Sequence, residues 1–207
     1  MADHHLFIDF EFTMPETERR DKSFVPEIIE VGMVCVSGLE VQQTFSSYVK
    51  PVINPILTER CKAFLNITQA DVDQGISFTE LVEILKTFDQ SGNARVVTWG
   101  NMDMYVLRKS CEYWGVPYPF KGREADLSIE YKNFYGDRNQ TGLIKALHEY
   151  GYKAKGKHHR ALDDALATFE IYKLIENDRR YLNKTNSPCI GDFVDVASLF
   201  GKVGSGH

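Results

Sequence analysis

Five side chains in this sequence could do chemistry together: the carboxylates of Asp9, Glu11, Asp103 and Asp164 and the imidazole of His159. Asp9 and Glu11 stand two apart inside His5-Leu6-Phe7-Ile8-Asp9-Phe10-Glu11-Phe12, an aromatic and β-branched run that reads as a strand. A period of two puts both carboxylates on one face of it. An isolated Asp-x-Glu pair is ordinarily a solvated feature of a surface strand. Here Leu6, Ile8, Phe10 and Phe12 make the strand apolar enough to be central, where its polar face is hard to wet. Like charges buried side by side raise a pKa or cost several kcal/mol, so the pair asks for a cation. The set predicts a metal-dependent site that cuts phosphodiesters.

Asp103 taken alone is a helix-start residue, stabilised by about 0.3–1 kcal/mol at the positive end of the macrodipole. Its place just after a short strand is also where open α/β sheets build their sites, which makes it a natural third ligand. The stretch Lys157-His158-His159-Arg160-Ala161-Leu162-Asp163-Asp164 carries two overlapping His-to-Asp pairs, each five residues apart. Its plain reading is a basic loop followed by an acidic helix start. Adjacent helix residues point about 100° apart, so Asp163 and Asp164 cannot both face one metal.

The elements that must position these groups are legible in part. The first strand ends in a turn at Pro15, and the polar stretch Thr13 to Glu27 reads as an exposed loop edging the site. Ile28 to Val36, the turn Ser37-Gly38 and Val41 to Val49 complete an antiparallel meander of three strands. Pro51 and Pro55 close that region, and short helices follow after Thr58, over Thr68 to Asp73 and over Thr79 to Phe88. Arg95 to Trp99 reads as a buried strand broken by Gly100, with Asn101 as N-cap of a helix to about Trp114. Helices near Leu127 to Phe134 and Leu143 to Tyr150 precede a final long helix from Ala161 to about Asn177. Pro188 and several glycines mark an irregular tail, with 201–207 read as mobile.

With 207 residues, 43% of them hydrophobic and 26% charged, the chain is expected to hold one main domain over 1–180 and a partly flexible extension over 181–207. A formal charge of −5 gives no overall attraction to nucleic acid, so a polyanion must be held locally. Lys153, Lys155, Lys157 and Arg160 are candidate cations for that task. Cys35, Cys61, Cys111 and Cys189 show no paired spacing and read as free thiols of a reducing compartment. The start carries no cationic, cleavable apolar segment and no run long enough to span a bilayer, so a cytoplasmic location is expected.

Assembled, Asp9-Phe10-Glu11, Asp103, and His159 followed by Asp164 resemble the three motifs of the DEDDh 3′-5′ exonucleases. Leu57-Thr58 with Cys61, Ile67-Thr68, Val72 and Phe78 are similar to the helical segment of the Eri-1-like members. Phe10 to Glu16, Pro26 to Gly32 and Thr98 to Met104 are similar to a bacillar branch connected with sporulation. The resemblance implies a ribonuclease H-like α/β fold, a mixed five-stranded sheet flanked by helices. It also implies two Mg²⁺ or Mn²⁺ ions held by Asp9, Glu11, Asp103 and Asp164, and His159 rather than His158 as base. The substrate it implies is a single-stranded 3′ end, RNA by preference, with Phe12, Thr13 and Met104 at the terminal nucleotide. Phe12 departs from the small residue usual after the Glu. Two other readings are a DNA proofreading or repair exonuclease and a non-catalytic binding module for a regulatory protein whose identity the sequence does not give.

Overall fold

The structure, a computed structural model, describes residues 4–17, 23–89, 92–152 and 160–185. Five strands form one sheet: β1 (His4–Phe12), β2 (Ile28–Ser37), β3 (Glu40–Tyr48), β4 (Arg95–Thr98) and β5 (Glu124–Asp126), in the order β3-β2-β1-β4-β5. β2 is antiparallel to both β1 and β3, while β4 runs parallel to β1 and β5. This is the mixed five-stranded sheet of the ribonuclease H-like fold.

β1 is the central strand, and its alternation has a physical reason on each side. Leu6, Ile8 and Phe10 join Val31, Met33, Leu81 and Leu107 in one core beneath α3 (Phe78–Phe88) and α4 (Met102–Trp114). On the opposite side Phe7 packs at a tilt against Phe169 and Tyr172 of α7 (Ala161–Thr185), with ring centroids 5.1 and 5.3 Å away. A strand covered on both faces must be apolar on both, and Leu6, Phe7 and Ile8 are all at most 1% exposed. Asp9 and Glu11 continue the Phe7 side of the strand, toward the end where β4 also terminates.

The connecting helices α1 (Glu59–Leu65) and α2 (Gln69–Asp73) start at Thr58 and Thr68, whose hydroxyls accept the Cys61 and Asp71 amides. Thr68 and Asp71 make a full capping box. α3 starts at Phe78, capped by Ser77, one residue before the expected Thr79. Asn101 does occupy the cap position of α4, yet its side chain makes no cap hydrogen bond. The Gly100 amide is instead held by Asp126 Oδ1 at 3.0 Å, and that carboxylate also caps α5 (Leu127–Tyr135).

Two expectations change further. The stretch from Thr13 to Glu27 is not exposed at its ends: Thr13 and Glu27 are buried and paired, Thr13 N donating to Glu27 O and Glu27 N to Thr13 Oγ1, both at 2.9 Å. α7 runs to Thr185, beyond the expected Asn177, and α6 (Leu143–Glu149) ends one residue early. The chain divides into compact units Met1–Tyr172 and Lys173–His207 within α7. The second contains the i,i+3 ion pair of Arg179 and Glu176 at 2.7 Å. Cys35, Cys61 and Cys111 are free thiols that burial pushes up in pKa, Cys111 to about 11; Cys189 and the 201–207 tail lie outside the described residues. Among the described residues no helix is long and apolar enough to cross a membrane.

Candidate active site

Asp9 and Glu11 project from the same face of β1, as a period of two demands, and the first turn of α7 brings Asp164 to them. One carboxylate oxygen from each lies within 4.8 Å of the others. Asp164 belongs to this group, and its half-buried neighbour Asp163 does not. The Asp164 amide donates to the Arg160 carbonyl at 3.0 Å, and the Thr168 hydroxyl to the Asp164 carbonyl at 2.9 Å, so the helix is regular where the carboxylate leaves it.

Asp103 arrives from the first turn of α4. Its Oδ1 accepts the amide of Phe10 at 3.0 Å, the residue between the two β1 carboxylates, and only 5% of it is exposed. That bond locks the β4–α4 turn to β1 and favours the ionised form of Asp103. Burial outweighs it, and together with the charges of Asp126 and Asp164 drives the Asp103 pKa up to about 7. Burial and the charges of Asp164, Glu30 and Asp103 raise Glu11 to about 8, against a lowering by Arg160. Asp9 lies well above the usual carboxylate range, through burial first and then Asp103, Glu11, Asp164 and Glu30.

Four carboxylates that desolvate and repel one another are an unstable arrangement by themselves. The oxygen-only donor set of Asp9, Glu11 and Asp164 suits hard divalent cations such as Mg²⁺ and Mn²⁺, so these three fit the metals that the motifs imply, while Asp103 stands outside this group with its Oδ1 on the Phe10 amide.

Around this centre the other expected groups fall differently. Phe12 is half-buried against the main core, and Thr13 is 5% exposed with its hydroxyl accepting Glu27 N. Met104 belongs to the core at 6% exposure, its sulfur receiving the Tyr118 hydroxyl at 3.4 Å, whereas Met102 on the other side of Asp103 is 53% exposed. Arg160, expected among the cations for an incoming strand, donates its Nε to Glu30 Oε1 at 2.9 Å and lies over the Tyr48 ring, 5.4 Å from its centroid. His158, His159, Lys153, Lys155 and Lys157 lie outside the described residues.

Glu30 is the group that the sequence reading missed. It pairs with Glu11 across β1 and β2, is 1% exposed, and burial raises its pKa despite the Arg160 bond. A lone glutamate inside Ile28-Ile29-Glu30-Val31 was the available signal.

The sequence matches the exonuclease family described as RNase_T over residues 6–172. The chain is 51% identical to "Probable 3'-5' exonuclease KapD" of Bacillus subtilis, over 94% of this chain and 95% of that one. It is 33% identical to human "3'-5' exoribonuclease 1" across 95% of this chain, spanning 59% of that longer protein. Among solved structures, the nuclease domain of 3'hExo, a DEDDh family member bound to rAMP, superposes with a TM-score of 0.77 at 30% identity, covering 86% of this chain and 93% of that one. Exonuclease I of E. coli, at 15% identity and a TM-score of 0.68 over 88% of this chain and 42% of that one, shares the fold. With three acidic motifs on a ribonuclease H-like sheet and these relatives, the chain belongs to the RNase_T exonuclease family as a DEDDh-type 3′-5′ exonuclease, a family that implies divalent metal ions at the acidic cluster.

Proposed function

We propose that this chain removes nucleoside 5′-monophosphates one at a time from the 3′ end of single-stranded RNA, with Asp9, Glu11, Asp103 and Asp164 holding two Mg²⁺ or Mn²⁺ ions and His159 as general base. The observation that carries this reading is the arrival of Asp164, more than 150 residues further along the chain, beside Asp9 and Glu11, with one carboxylate oxygen of each within 4.8 Å of the others. Divalent ions bound there supply electrostatic stabilisation of the charge that develops on the scissile phosphate. His159, five residues before Asp164, takes a proton from the attacking water, which an imidazole of ordinary pKa near 6.5 can do at neutral pH.

Asp103 fixes the backbone between Asp9 and Glu11 through the Phe10 amide, so both carboxylates are held in place before substrate arrives. Phe12 offers a ring to the terminal nucleotide. Thr13 Oγ1, which accepts Glu27 N, keeps its own proton to donate to a terminal hydroxyl. Met104 lies in the core, and the exposed Met102 is the better placed of the two to touch a base. RNA is favoured over DNA by the similarity to a protein named as an exoribonuclease, and a cytoplasmic site of action accords with the free thiols.

The test is a 5′-labelled single-stranded RNA and its DNA counterpart, incubated with Mn²⁺ or with EDTA. Stepwise shortening of RNA that needs metal and vanishes in Asp9→Ala and His159→Ala supports the reading. Faster shortening of DNA would replace RNA processing by a repair or proofreading role. A 3′-phosphate should slow an enzyme that reads a free terminal hydroxyl. A second layer, restraint of sporulation exerted through this nuclease activity, rests on the resemblance of Phe10 to Glu16, Pro26 to Gly32 and Thr98 to Met104 to the bacillar branch. Full regulation in cells carrying Asp9→Ala would instead favour a binding module.

A further inference from the structure

β2 carries two features that the carboxylate cluster does not use. Gly32 lies opposite Asp9 in the β1–β2 register. A Cβ built there would stand 2.0 Å from the Ala161 carbonyl carbon and from the Leu162 nitrogen, and 2.2 Å from the Ala161 carbonyl oxygen. These are backbone atoms of the first turn of α7, so no side-chain rotation relieves the overlap. The bare backbone at 32 decides how closely that turn can approach the strand carrying the carboxylates.

Two residues earlier, on the same face, Glu30 stands opposite Glu11 and holds Arg160 through Nε at 2.9 Å. The guanidinium rests on Tyr48, which is Glu30's own partner in the β2–β3 register. Only Oε1 is engaged; Oε2 is buried without a hydrogen-bond partner. For stability alone this is a poor place for a fifth carboxylate, since removing a buried pair in favour of apolar groups is often neutral or better. What the pair does achieve is attachment. Arg160 is joined directly to His159, and its carbonyl accepts the Asp164 amide.

We propose, building on the catalytic reading above, that Gly32 and the Glu30–Arg160 pair are positioning residues: a bare seat and a tether on β2 that fix the first turn of α7 and thereby place Asp164 against Asp9 and Glu11. Arg160 is then an internal strut and not a phosphate contact. The seat limits the approach of the helix, and the tether holds it at that limit.

The test uses full-length Gly32→Ala, Glu30→Gln, Arg160→Ala and Arg160→Lys. Mn²⁺ affinity is read without substrate from the electron paramagnetic resonance of free Mn²⁺, kcat and KM on a short oligonucleotide, and folding from melts in EDTA. Gly32→Ala, Glu30→Gln and Arg160→Ala should each lose about 10–100-fold in Mn²⁺ affinity, the usual cost of disturbing groups that orient metal ligands. Their kcat should fall while KM stays within about twofold, since a displaced ligand at Asp164 weakens the transition state more than substrate binding. Arg160→Lys should recover part of the loss. Added methylguanidinium should not rescue Arg160→Ala, because a free cation restores charge but not attachment.

Folded Arg160→Ala and Glu30→Gln proteins with unchanged Mn²⁺ affinity and kcat would overturn the proposal, as would full rescue by methylguanidinium. If Gly32→Ala fails to fold, those two variants decide alone, for neither introduces an overlap. A wild type that binds Mn²⁺ yet releases no nucleotide would sink the nuclease reading, while the variants' Mn²⁺ affinities would still judge the positioning roles.

Discussion

Burial and four neighbouring carboxylates all oppose the ionisation of Asp9. Replacing it by Asn keeps the shape and removes the charge. Metal-free Asp9→Asn should therefore be more stable than the wild type, by about 0.5–2 kcal/mol, as expected when strain kept for function is relieved. Its nuclease activity should nonetheless drop by about 10²–10³-fold or more, the scale on which lost electrostatic stabilisation shows. Melts in EDTA beside a nucleotide-release assay read both effects, and a variant less stable than wild type would contradict the repulsion argument. At this scale the sequence was informative wherever a polar residue broke an apolar pattern in a single strand. Asp9 and Glu11 were legible for that reason. Glu30 was not, because its meaning depends on the residue across the ladder, and register is not written in β2 alone. Met104 was ambiguous, since α4 offers methionines on both sides of Asp103 and burial separates them only once the helix is docked.

The element that makes or breaks the site is α7, for it must deliver Asp164 to a strand more than 150 residues earlier. Its docking rests on aromatic packing as well as on the tether. Phe169 is 2% exposed with its ring 5.1 Å from Phe7, two residues before Asp9 on the same face. Phe169→Ala should cost about 3–5 kcal/mol, the range for emptying a buried aromatic site. Because the void opens beside the carboxylates, activity should fall further than the folded fraction does; a loss that merely follows the folded fraction would show that Phe169 serves stability alone. Most of the element order was legible from apolar periodicity and caps. The exceptions have physical causes. β5 has three residues, Glu124, Ala125 and Asp126, with no apolar run, and exists because β4 offers it an edge. Asn101 has the right type for a cap, but Asp126 arrives from β5 to hold the Gly100 amide, and that is a tertiary contact. The ends of the 13–27 loop are buried through their mutual hydrogen bonds despite a polar composition.

For the molecule as a whole, the site makes stability depend on pH with a sign opposite to that of most carboxylates. In the metal-free fold Glu11 titrates at about 8 and Asp103 at about 7, each above its ordinary value of 4.5 or 3.8. Between those limits the folded protein retains protons that the unfolded chain has released, so stability falls as pH rises through the window. Below the ordinary carboxylate range both states are protonated at these groups and the penalty is absent; above about pH 8 it is complete. Divalent cations compete for the same deprotonated oxygens, so their binding should release protons and strengthen with pH. A metal at about a hundred times its Kd adds about 2.7 kcal/mol of stability. The Tm in EDTA should therefore decline from about pH 5 to about pH 8.5, whereas the shift produced by Mn²⁺ should grow over the same range. A net charge of −5 works in the same direction, since self-repulsion also increases as further groups ionise, but added salt screens that diffuse contribution. Repeating the melts at high ionic strength separates the two: the buried cluster keeps its pH slope, and a slope that disappears with salt would assign the effect to the surface instead.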